Sequence, residues 1–246
     1  MILLFDVGNT SVYTGISDGV DILKTFRLNT EIDKTPDEYF ILLKEFIDPS
    51  LVEGVVIGSV VPPVTRSLLK LSQKYFNIEP IIIQPGVKTG VFVKADNPKE
   101  VGADLIADVA GLKSKLPTLI IDLGTANKFI YAKEGQIHGV IISPGVVLSI
   151  KALAGNTALL HEVEVKAPPK YLGNNTVTCI QSGVIYGTVV MIEGMIGRIK
   201  EEVKEDFEII ITGGLSKVIL EHIRVPMTRD SHLVLRGLLN IYHKNQ

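Results

Sequence analysis

Apolar runs that end at an acidic residue recur along the chain and predict strands. One run ends at Asp6 and another at Asp122, and β-prone residues follow these aspartates at 11–16 and 128–132. An apolar strand, a short polar turn and a second β-prone stretch are typical of a hairpin. Between and after these hairpins, apolar residues at helical spacing alternate with further short apolar runs. This alternation predicts an α/β fold.

The other elements follow from the same patterns. Before Asp122 we predict helices over 36–46, 64–76 and 103–115, strands over 54–60 and 80–83, and a loop with a short strand over 86–100. After it we predict a hairpin over 128–140, helices over 146–154 and 177–205, a strand over 207–212, a helix from Ser216 and a closing helix within 232–242.

The longest predicted helix carries Gly183, Gly187, Gly194 and Gly197. Each glycine in a helix costs about 1 kcal/mol relative to alanine, so close packing is expected to offset that cost. We expect this face to pack against the chain's own sheet, with a subunit interface as the alternative.

Both aspartates begin the same short motif, Asp-x-Gly-polar-small. It is present as Asp6-Val7-Gly8-Asn9-Thr10 and as Asp122-Leu123-Gly124-Thr125-Ala126. The copies lie close to half a chain apart in a chain of 246 residues, which indicates a duplicated architecture. We therefore expect two similar lobes, residues 1–116 and 117–246, with a cleft between them.

The residue types of this motif suit phosphate binding. A carboxylate at a strand end can hold a hydrated magnesium ion while backbone N–H groups approach phosphate oxygens. Gly8 and Gly124 lack the Cβ that would obstruct this approach. A plain hairpin turn uses the same residue types, but two copies and a late Thr212-Gly213-Gly214 favour a nucleotide site. The G-x-x-x-x-G-K-[ST] motif is absent from the sequence, so we expect a site without a Walker loop.

Composition narrows the class of protein. The chain is 46% hydrophobic and 21% charged, and its formal charge is only −2, which argues against a nucleic-acid or membrane-surface partner. The single cysteine, Cys179, cannot form an internal disulfide, so a cytoplasmic location is expected. We expect Cys179 to be a small buried residue and not a nucleophile. No targeting segment is visible, and the apolar stretch 139–150 is too short to span a membrane.

Five short motifs together resemble a known family. They are Asp6 to Thr10, Gly102-Ala103-Asp104, Asp122 to Ala126, Pro144-Gly145 and Thr212-Gly213-Gly214, in this order. They are similar to those of the type III pantothenate kinases of bacterial coenzyme A synthesis, over nearly the whole chain. The resemblance implies the actin/hexokinase/Hsp70 ATPase superfamily, with two duplicated ribonuclease-H-like lobes and a central cleft. It also implies a homodimer that phosphorylates pantothenate and needs ATP, magnesium and a monovalent cation, potassium or ammonium.

The resemblance also implies roles for individual residues. Asp104 would accept the proton of the substrate hydroxyl, with Gly102, Ala103 and Leu105 beside the pantothenate. Thr176 would reach substrate from the partner subunit. Asp122 would bind the monovalent cation, and Asp6 would hold magnesium through water. The nucleotide would be bound by Asp6, Val7, Gly8, Asn9, Thr10, Ser11, Val12, Tyr13, Thr125, Gly213 and Gly214.

The chemistry of Asp104 agrees with this role without the resemblance. Phosphoryl transfer requires an in-line hydroxyl and positive charge on the phosphates, with little covalent help from protein. A carboxylate near a helix N-terminus stays charged at neutral pH and is available as a proton acceptor. The same position also suits a plain helix cap. Asp108, one turn later, is expected on a solvated face or in a structural bond.

The sequence departs from the family's pattern at four places. Leu105 stands where the family usually has arginine, Asn127-Lys128 replaces a threonine-rich stretch, His138 replaces a glycine and Leu160 a proline. Loss of the arginine removes a charge-assisted hydrogen bond, which is typically equivalent to about tenfold to a hundredfold in affinity. Two alternatives therefore stand beside pantothenate kinase: an ATP-binding regulatory protein of the same fold, or a kinase for another small hydroxylated metabolite. The five histidines lack metal-ligand spacing, and we assign them no metal.

Overall fold

Two open sheets form the framework of the protein. A computed structural model describes residues 1–94, 97, 100–157 and 159–246. The strands are β1 (Ile2–Val7), β2 (Ser11–Ser17), β3 (Ile22–Asn29), β4 (Gly54–Ser59), β5 (Ile81–Ile82), β6 (Phe92–Val93), β7 (Thr118–Leu123), β8 (Ala126–Lys133), β9 (Gln136–Pro144), β10 (Glu208–Thr212) and β11 (Thr228–Arg229).

Seven α-helices accompany the sheets in the described part of the chain. They are α1 (Pro36–Leu43), α2 (Pro62–Leu71), α3 (Ala103–Ala110), α4 (Val146–Asn156), α5 (Thr176–Val203), α6 (Ser216–Leu220) and α7 (Leu233–Lys244). A 3₁₀ turn covers Pro49–Leu51, and a π-helical turn, Ser72–Phe76, continues α2. The predicted hairpins and the order of the predicted helices and strands are confirmed, whereas β3 and β11 were not predicted. The prediction over 86–100 includes residues 95, 96, 98 and 99, which lie outside the described residues.

The strand order is the same in both sheets and confirms the duplication. The first sheet has the order β3-β2-β1-β4-β5, with β1 antiparallel to β2 and parallel to β4. The second sheet, taken in the corresponding direction, has the order β9-β8-β7-β10-β11, with β7 antiparallel to β8 and parallel to β10. In each sheet the central strand is the one that ends in the Asp-x-Gly motif. The short strand β6 is added beside β9, where it pairs with Gln136 and Ile137.

The described residues group into two compact units. The first comprises 1–115, 135–138 and 232–246, and the second comprises 116–134 and 139–231. The division into duplicated lobes at 1–116 and 117–246 stays a prediction. In the first unit α7 packs on β1 and on α3.

Burial on both faces explains why the central strands are apolar almost throughout. On β1, Leu3, Phe5 and Val7 belong to the core formed with α1 and α2, whereas Ile2 and Leu4 belong to the core formed with α3 and α7. A strand that is covered on both sides shows a continuous apolar run. In the second unit Leu119, Ile121 and Leu123 pack in the core that contains the buried face of α5.

Helix α3 ends five residues earlier than predicted, and α7 accounts for the difference. The Arg236 side chain donates a hydrogen bond to the Gly111 carbonyl at 2.7 Å, and Asn240 donates one to the Ala110 carbonyl at 2.8 Å. The two helices also approach closely at Gly237, where an added Cβ would overlap the Ala107 carbonyl. The side chains of α7 thus donate hydrogen bonds to the last carbonyls of α3, which in a longer helix would accept from backbone N–H groups of α3 itself.

Two expectations for helical residues are wrong, and a third is narrowed. An added Cβ on any of the four α5 glycines would meet no atom of the described chain within 4 Å, and all four are exposed, so this face does not pack on the chain's own sheet. Cys179 is exposed and not buried. Asp108 is only 2% exposed, which excludes the solvated face and leaves the structural bond that was expected as the alternative.

Helix α5 is also long and apolar enough to cross a membrane by length and composition, among the helices that the structure describes. Such a test is also passed by core helices of soluble proteins, and α5 contributes nine buried residues to the fold.

Candidate active site

The first candidate phosphate loop connects β1 to β2. The Gly8 N–H donates to the Ser11 carbonyl at 3.0 Å, which closes a tight turn. Thr30 holds the turn from β3, because its hydroxyl donates to the Gly8 carbonyl at 2.6 Å and its N–H donates to the Thr10 carbonyl at 3.1 Å. Asn9 and Thr10 are exposed at the tip. These bonds fix the loop backbone before any ligand arrives.

Asp6 is partly exposed and lies one residue before the end of β1. Its partner across the hairpin is Tyr13 on β2. The guanidinium of Arg27 lies 3.9 Å from the Tyr13 ring centroid and donates a long hydrogen bond of 3.4 Å to the Ser11 hydroxyl. Arginine stacked on an aromatic ring keeps its charge and planar donors. Arg27 therefore brings a cation to this loop, although nothing in the sequence pattern around it marks a site.

The second candidate phosphate loop connects β7 to β8. Asp122 lies directly opposite Lys128 in the strand register, and the Lys128 Nζ is 2.5 Å from the Asp122 Oδ2. The two side chains are only 15% and 14% exposed. An ion pair with so little contact with solvent is weakly screened by salt. The lysine that departs from the family's pattern is therefore the partner of the predicted cation ligand.

The Gly213 turn lies against the other oxygen of Asp122. Thr212 is next to Asp122 in the strand register, and a Cβ on Gly213 would lie 2.6 Å from the Asp122 Oδ1 and 2.5 Å from the Leu123 carbonyl oxygen. Gly213 also has a φ of +89°, which other residues rarely adopt. Only glycine fits at this position. The structure therefore places the predicted Thr212-Gly213-Gly214 motif directly against the second loop.

Helix α4 begins directly beside this loop. The Gly145 N–H donates to the Thr125 carbonyl at 3.0 Å, and an added Cβ on Gly145 would be 2.5 Å from the carbonyls of both Gly124 and Thr125. Asn127 is 1% exposed and donates from Nδ2 to the Pro144 carbonyl at 3.1 Å. The Pro144-Gly145 turn thus supports the loop, and Asn127 has a structural contact there.

Asp104 lies in the first turn of α3, as predicted. Its Oδ1 accepts a hydrogen bond from the Leu105 N–H at 3.0 Å, and this oxygen occupies the space where a Cβ on Gly102 would be. Glycine at 102 therefore lets the carboxylate fold back over the helix start. Leu105 is 7% exposed and its side chain is part of the interior.

A cavity of about 440 Å³ opens beside Asp104 within the first unit. Its lining includes Ser59, Val60, Gly102 and Ala103. The Val60 N–H donates to the Val7 carbonyl at 3.1 Å, and the Val60 Cγ1 is 3.5 Å from a Cβ built on Gly102. Val60 consequently connects the first phosphate loop to the start of α3. Small-molecule sites typically have volumes of about 300–1,000 Å³, so this cavity is of suitable size.

Thr176 begins α5 in the second unit and is exposed. Asn175 caps the helix, accepting a bond from the Thr178 N–H at 3.0 Å. Thr176 lines a wide cavity of about 1280 Å³ together with residues of α4. Leu160, which stands where the family has proline, lines this cavity too.

His138, which stands where the family has glycine, is exposed on β9. Within the described residues, His, Cys, Asp and Glu side chains form no group of three that could hold a metal ion.

Solved structures share this architecture. The chain matches a Baf family protein from Campylobacter jejuni with a TM-score of 0.64 at 18% identity, over 99% of this chain and 98% of the other. It matches component A of the (R)-2-hydroxyglutaryl-CoA dehydratase of Acidaminococcus fermentans with a TM-score of 0.54 at 12% identity, over 98% and 96%. The fold is the actin-like ATPase fold, as predicted.

Sequence relatives identify the family. The family described as type III pantothenate kinase matches residues 2–198. A type III pantothenate kinase of Acholeplasma laidlawii is 68% identical over 245 residues, covering 100% of this chain and 99% of the relative. Another, from an Exiguobacterium species, is 45% identical over 254 residues, covering 100% of this chain and 100% of the relative. The protein belongs to the type III pantothenate kinase family.

Proposed function

We propose that this protein transfers the γ-phosphate of ATP to the primary hydroxyl of pantothenate, giving 4′-phosphopantothenate, the first step of coenzyme A synthesis. Family membership supports the reaction. The observation that carries the proposal for this chain is the position of Val60, which is hydrogen-bonded to Val7 before the first phosphate loop and lines a cavity of ligand size together with the start of α3. A phosphate loop, a carboxylate and a substrate cavity are thereby connected within one unit.

In the proposed reaction the substrate hydroxyl oxygen attacks the γ-phosphorus, the bond from phosphorus to the bridging oxygen breaks, and ADP leaves. Asp104 accepts the hydroxyl proton. The Leu105 N–H, which donates to Oδ1, holds the carboxylate orientation. Because the protein does little covalent chemistry in such a transfer, positioning is its main contribution.

ATP is proposed to bind both loops. The backbone of Asp6 to Tyr13 and the Thr125 hydroxyl would contact the phosphates, and Gly213 and Gly214 would line the adenosine side. Magnesium prefers oxygen ligands, keeps several waters and is commonly held by one or two carboxylates together with substrate phosphates. Asp6, with the Thr10 and Ser11 hydroxyls close by on the loop, is a donor set that fits magnesium bound through water. When bound, magnesium would neutralise charge on the transferring phosphates.

Pantothenate is proposed to occupy the cavity of about 440 Å³ lined by Gly102 and Ala103. Leu105 is buried and cannot supply the charge that arginine supplies in the family. We propose that Thr176 contacts pantothenate from the partner subunit, in a homodimer. The exposed face of α5 supports a dimer, because Gly183, Gly187 and Gly194 recur there and an added Cβ on any of them would have no described atom within 4 Å. We also propose a cytoplasmic location, consistent with the lone exposed cysteine.

The residues around Asp122 do not fit the monovalent cation that the resemblance implies. Its Oδ2 already accepts from the Lys128 ammonium, and its Oδ1 faces the Gly213 turn. We therefore include no potassium or ammonium in the reaction.

A coupled ADP-release assay over a panel of hydroxyl acceptors tests the function. We expect turnover with pantothenate, and we expect Asp104→Asn to reduce kcat by roughly 10²–10⁴-fold with little change in the affinity for ATP. Glu100→Gln is the matched control, since Glu100 is a carboxyl residue that lines the cavity beside Asp104. Its kcat should stay near that of the wild type.

Three results would contradict the proposal. Failure to bind ATP with magnesium would remove the kinase reaction altogether. Turnover with another acceptor and none with pantothenate would assign a different substrate. If ATP still binds but no acceptor gives turnover, a regulatory protein would be favoured.

A further inference from the structure

The second phosphate loop contains its own cation. Lys128 and Asp122 face each other across the β7–β8 hairpin, at adjacent positions of two paired strands. The 2.5 Å separation of Nζ and Oδ2 is that of a charge-assisted hydrogen bond, and both side chains are about six-sevenths buried. A pair held by strand register and shielded from solvent has a fixed geometry, unlike a flexible surface pair.

A carboxylate beside a triphosphate requires a compensating positive charge. An uncompensated Asp122 would repel phosphate oxygens bound to the same loop, and the repulsion grows as solvent is excluded. The Lys128 ammonium has the same charge as an ammonium ion and presents N–H donors in the same way. A second cation entering here would meet an already neutralised carboxylate and the repulsion of the Lys128 charge.

We propose that Lys128 permanently replaces a bound monovalent cation at Asp122, so that ATP use by this protein does not depend on potassium or ammonium. The inference rests on the proposed function, because it assigns Asp122 to the ATP site. Lys128 is a positioning residue in this account. It acts by neutralising Asp122 and by holding that carboxylate in place.

The Gly213 turn supports the same conclusion from the other side of the carboxylate. The Asp122 Oδ1 lies where a side chain on Gly213 would begin, so the protein packs closely against this oxygen as well. Gly124, in contrast, leaves room, since an added Cβ there would be 3.9 Å from Oδ1 and 4.0 Å from Oδ2. The Asp122 carboxylate is therefore bounded on two sides, by Lys128 and by the Gly213 turn, and has room only towards Gly124.

The first test is a cation profile of the unmodified full-length protein. ATP binding with magnesium, by calorimetry, and turnover of pantothenate would be measured in tetramethylammonium chloride, which would then be replaced stepwise by potassium or ammonium at constant ionic strength. We expect the affinity for ATP and kcat to stay flat. Activation of either by potassium or ammonium, by severalfold or more, would overturn the inference while leaving the kinase function intact.

The second test opens the position to a free ion. In tetramethylammonium, Lys128→Ala should lose roughly tenfold to a hundredfold in affinity for ATP, because Asp122 is left uncompensated. Potassium or ammonium should restore most of that loss. Lys128→Met should show the same loss without rescue, because its uncharged side chain fills the space. Lys133→Ala, which removes the other ion-paired lysine of β8, should keep the flat profile.

A measurement without ATP separates the two proposals. Potassium should raise the unfolding temperature of Lys128→Ala, whose Asp122 can accept an ion, and should leave that of the wild type unchanged. A wild-type protein stabilised by potassium would overturn the inference, as would a folded Lys128→Ala variant with wild-type affinity for ATP. If Lys128→Ala does not fold, the dependence of wild-type ATP binding and turnover on potassium and ammonium still tests the inference. Failure of the wild type to bind ATP in any salt would remove the proposed function, and the inference with it.

Discussion

The loops after β1 and β7 begin with the same motif in sheets of the same strand order, but the residue facing the aspartate differs. Asp6 faces Tyr13, and Asp122 faces Lys128. The first loop encloses residues 8–11 between the last paired residues, whereas the second encloses only 124–126. The extra residue shifts the register by one position, so the same motif presents its carboxylate to a different neighbour. Duplication has therefore preserved the framework while the charge compensation has diverged.

The charges near the two loops are held in different ways. Arg27 lies over the Tyr13 ring at 3.9 Å and donates a long hydrogen bond to the Ser11 hydroxyl of the first loop. Lys128 is instead fixed on Asp122 itself. A carboxylate that is already paired with an ammonium does not suit a second cation, whereas Asp6 is proposed to hold magnesium through water. We therefore expect the first loop to depend on added magnesium and the second to need no added ion.

The largest expected effect is at the Gly213 turn beside the second loop. Gly213→Ala should destabilise the protein by about 2–4 kcal/mol, since a positive φ and an overlap with Asp122 and the Leu123 carbonyl add together. Thermal and urea unfolding would measure this. Gly214→Ala is the matched control, because an added Cβ there meets no described atom within 4 Å. Equal stability of the two variants would show that the turn is not packed as described.

The glycines of the two motifs should behave oppositely to Gly213. A Cβ on Gly8 would lie 3.4 Å from the Ser11 carbonyl, and on Gly124 its nearest contact would be 3.7 Å, so the chain itself has room at both. Gly8→Ala and Gly124→Ala should change the free energy of unfolding by less than about 1 kcal/mol. Their affinity for ATP should nevertheless fall, if phosphate oxygens approach these backbones. Unchanged calorimetric affinity in both variants would refute the phosphate assignment.

A smaller effect is expected further along β8, at Tyr131. Burial raises the pKa of Tyr131 to about 12, and the hydrogen bond of 2.8 Å to Glu205 adds to this. A raised pKa in the folded state means that the stabilisation is fully present below the unfolded value of about 10 and is lost as the pH rises through about 12. Unfolding free energies from pH 9 upward should therefore decline. Tyr131→Phe should reduce the decline of the unfolding free energy with pH. An unchanged decline in this variant would show that Tyr131 does not cause it.

Much of the fold was predictable because its signals are local. The apolar runs that end at Asp6 and Asp122 mark the two central strands, which are buried on both faces. The end of α3 was not predictable, because it is set by Arg236 and Asn240 from a helix more than a hundred residues later. Nor could the sequence show that the glycine face of α5 is exposed. Spacing reports which residues share a face, but it does not report what covers that face.

The candidate site was predictable in its motifs and less so in its contacts. The Asp-x-Gly repeat and Gly213 stand out because backbone geometry restricts those positions to few residue types. Lys128 was visible only as a departure from the pattern, and its bond to Asp122 required the strand register. Val60 and Arg27 carried no signal, since an apolar residue after a strand and an arginine within one are ordinary.

The most direct test is the stoichiometry and coupling of ATP binding, measured by titration calorimetry with magnesium. We expect one ATP per chain in the wild type. Gly8→Ala and Gly124→Ala should each weaken that single site, and the double variant should show losses that are not additive if, as we propose, one triphosphate contacts both loops. Two independent sites per chain, or a loss confined to one loop with the other variant unaffected, would contradict the account.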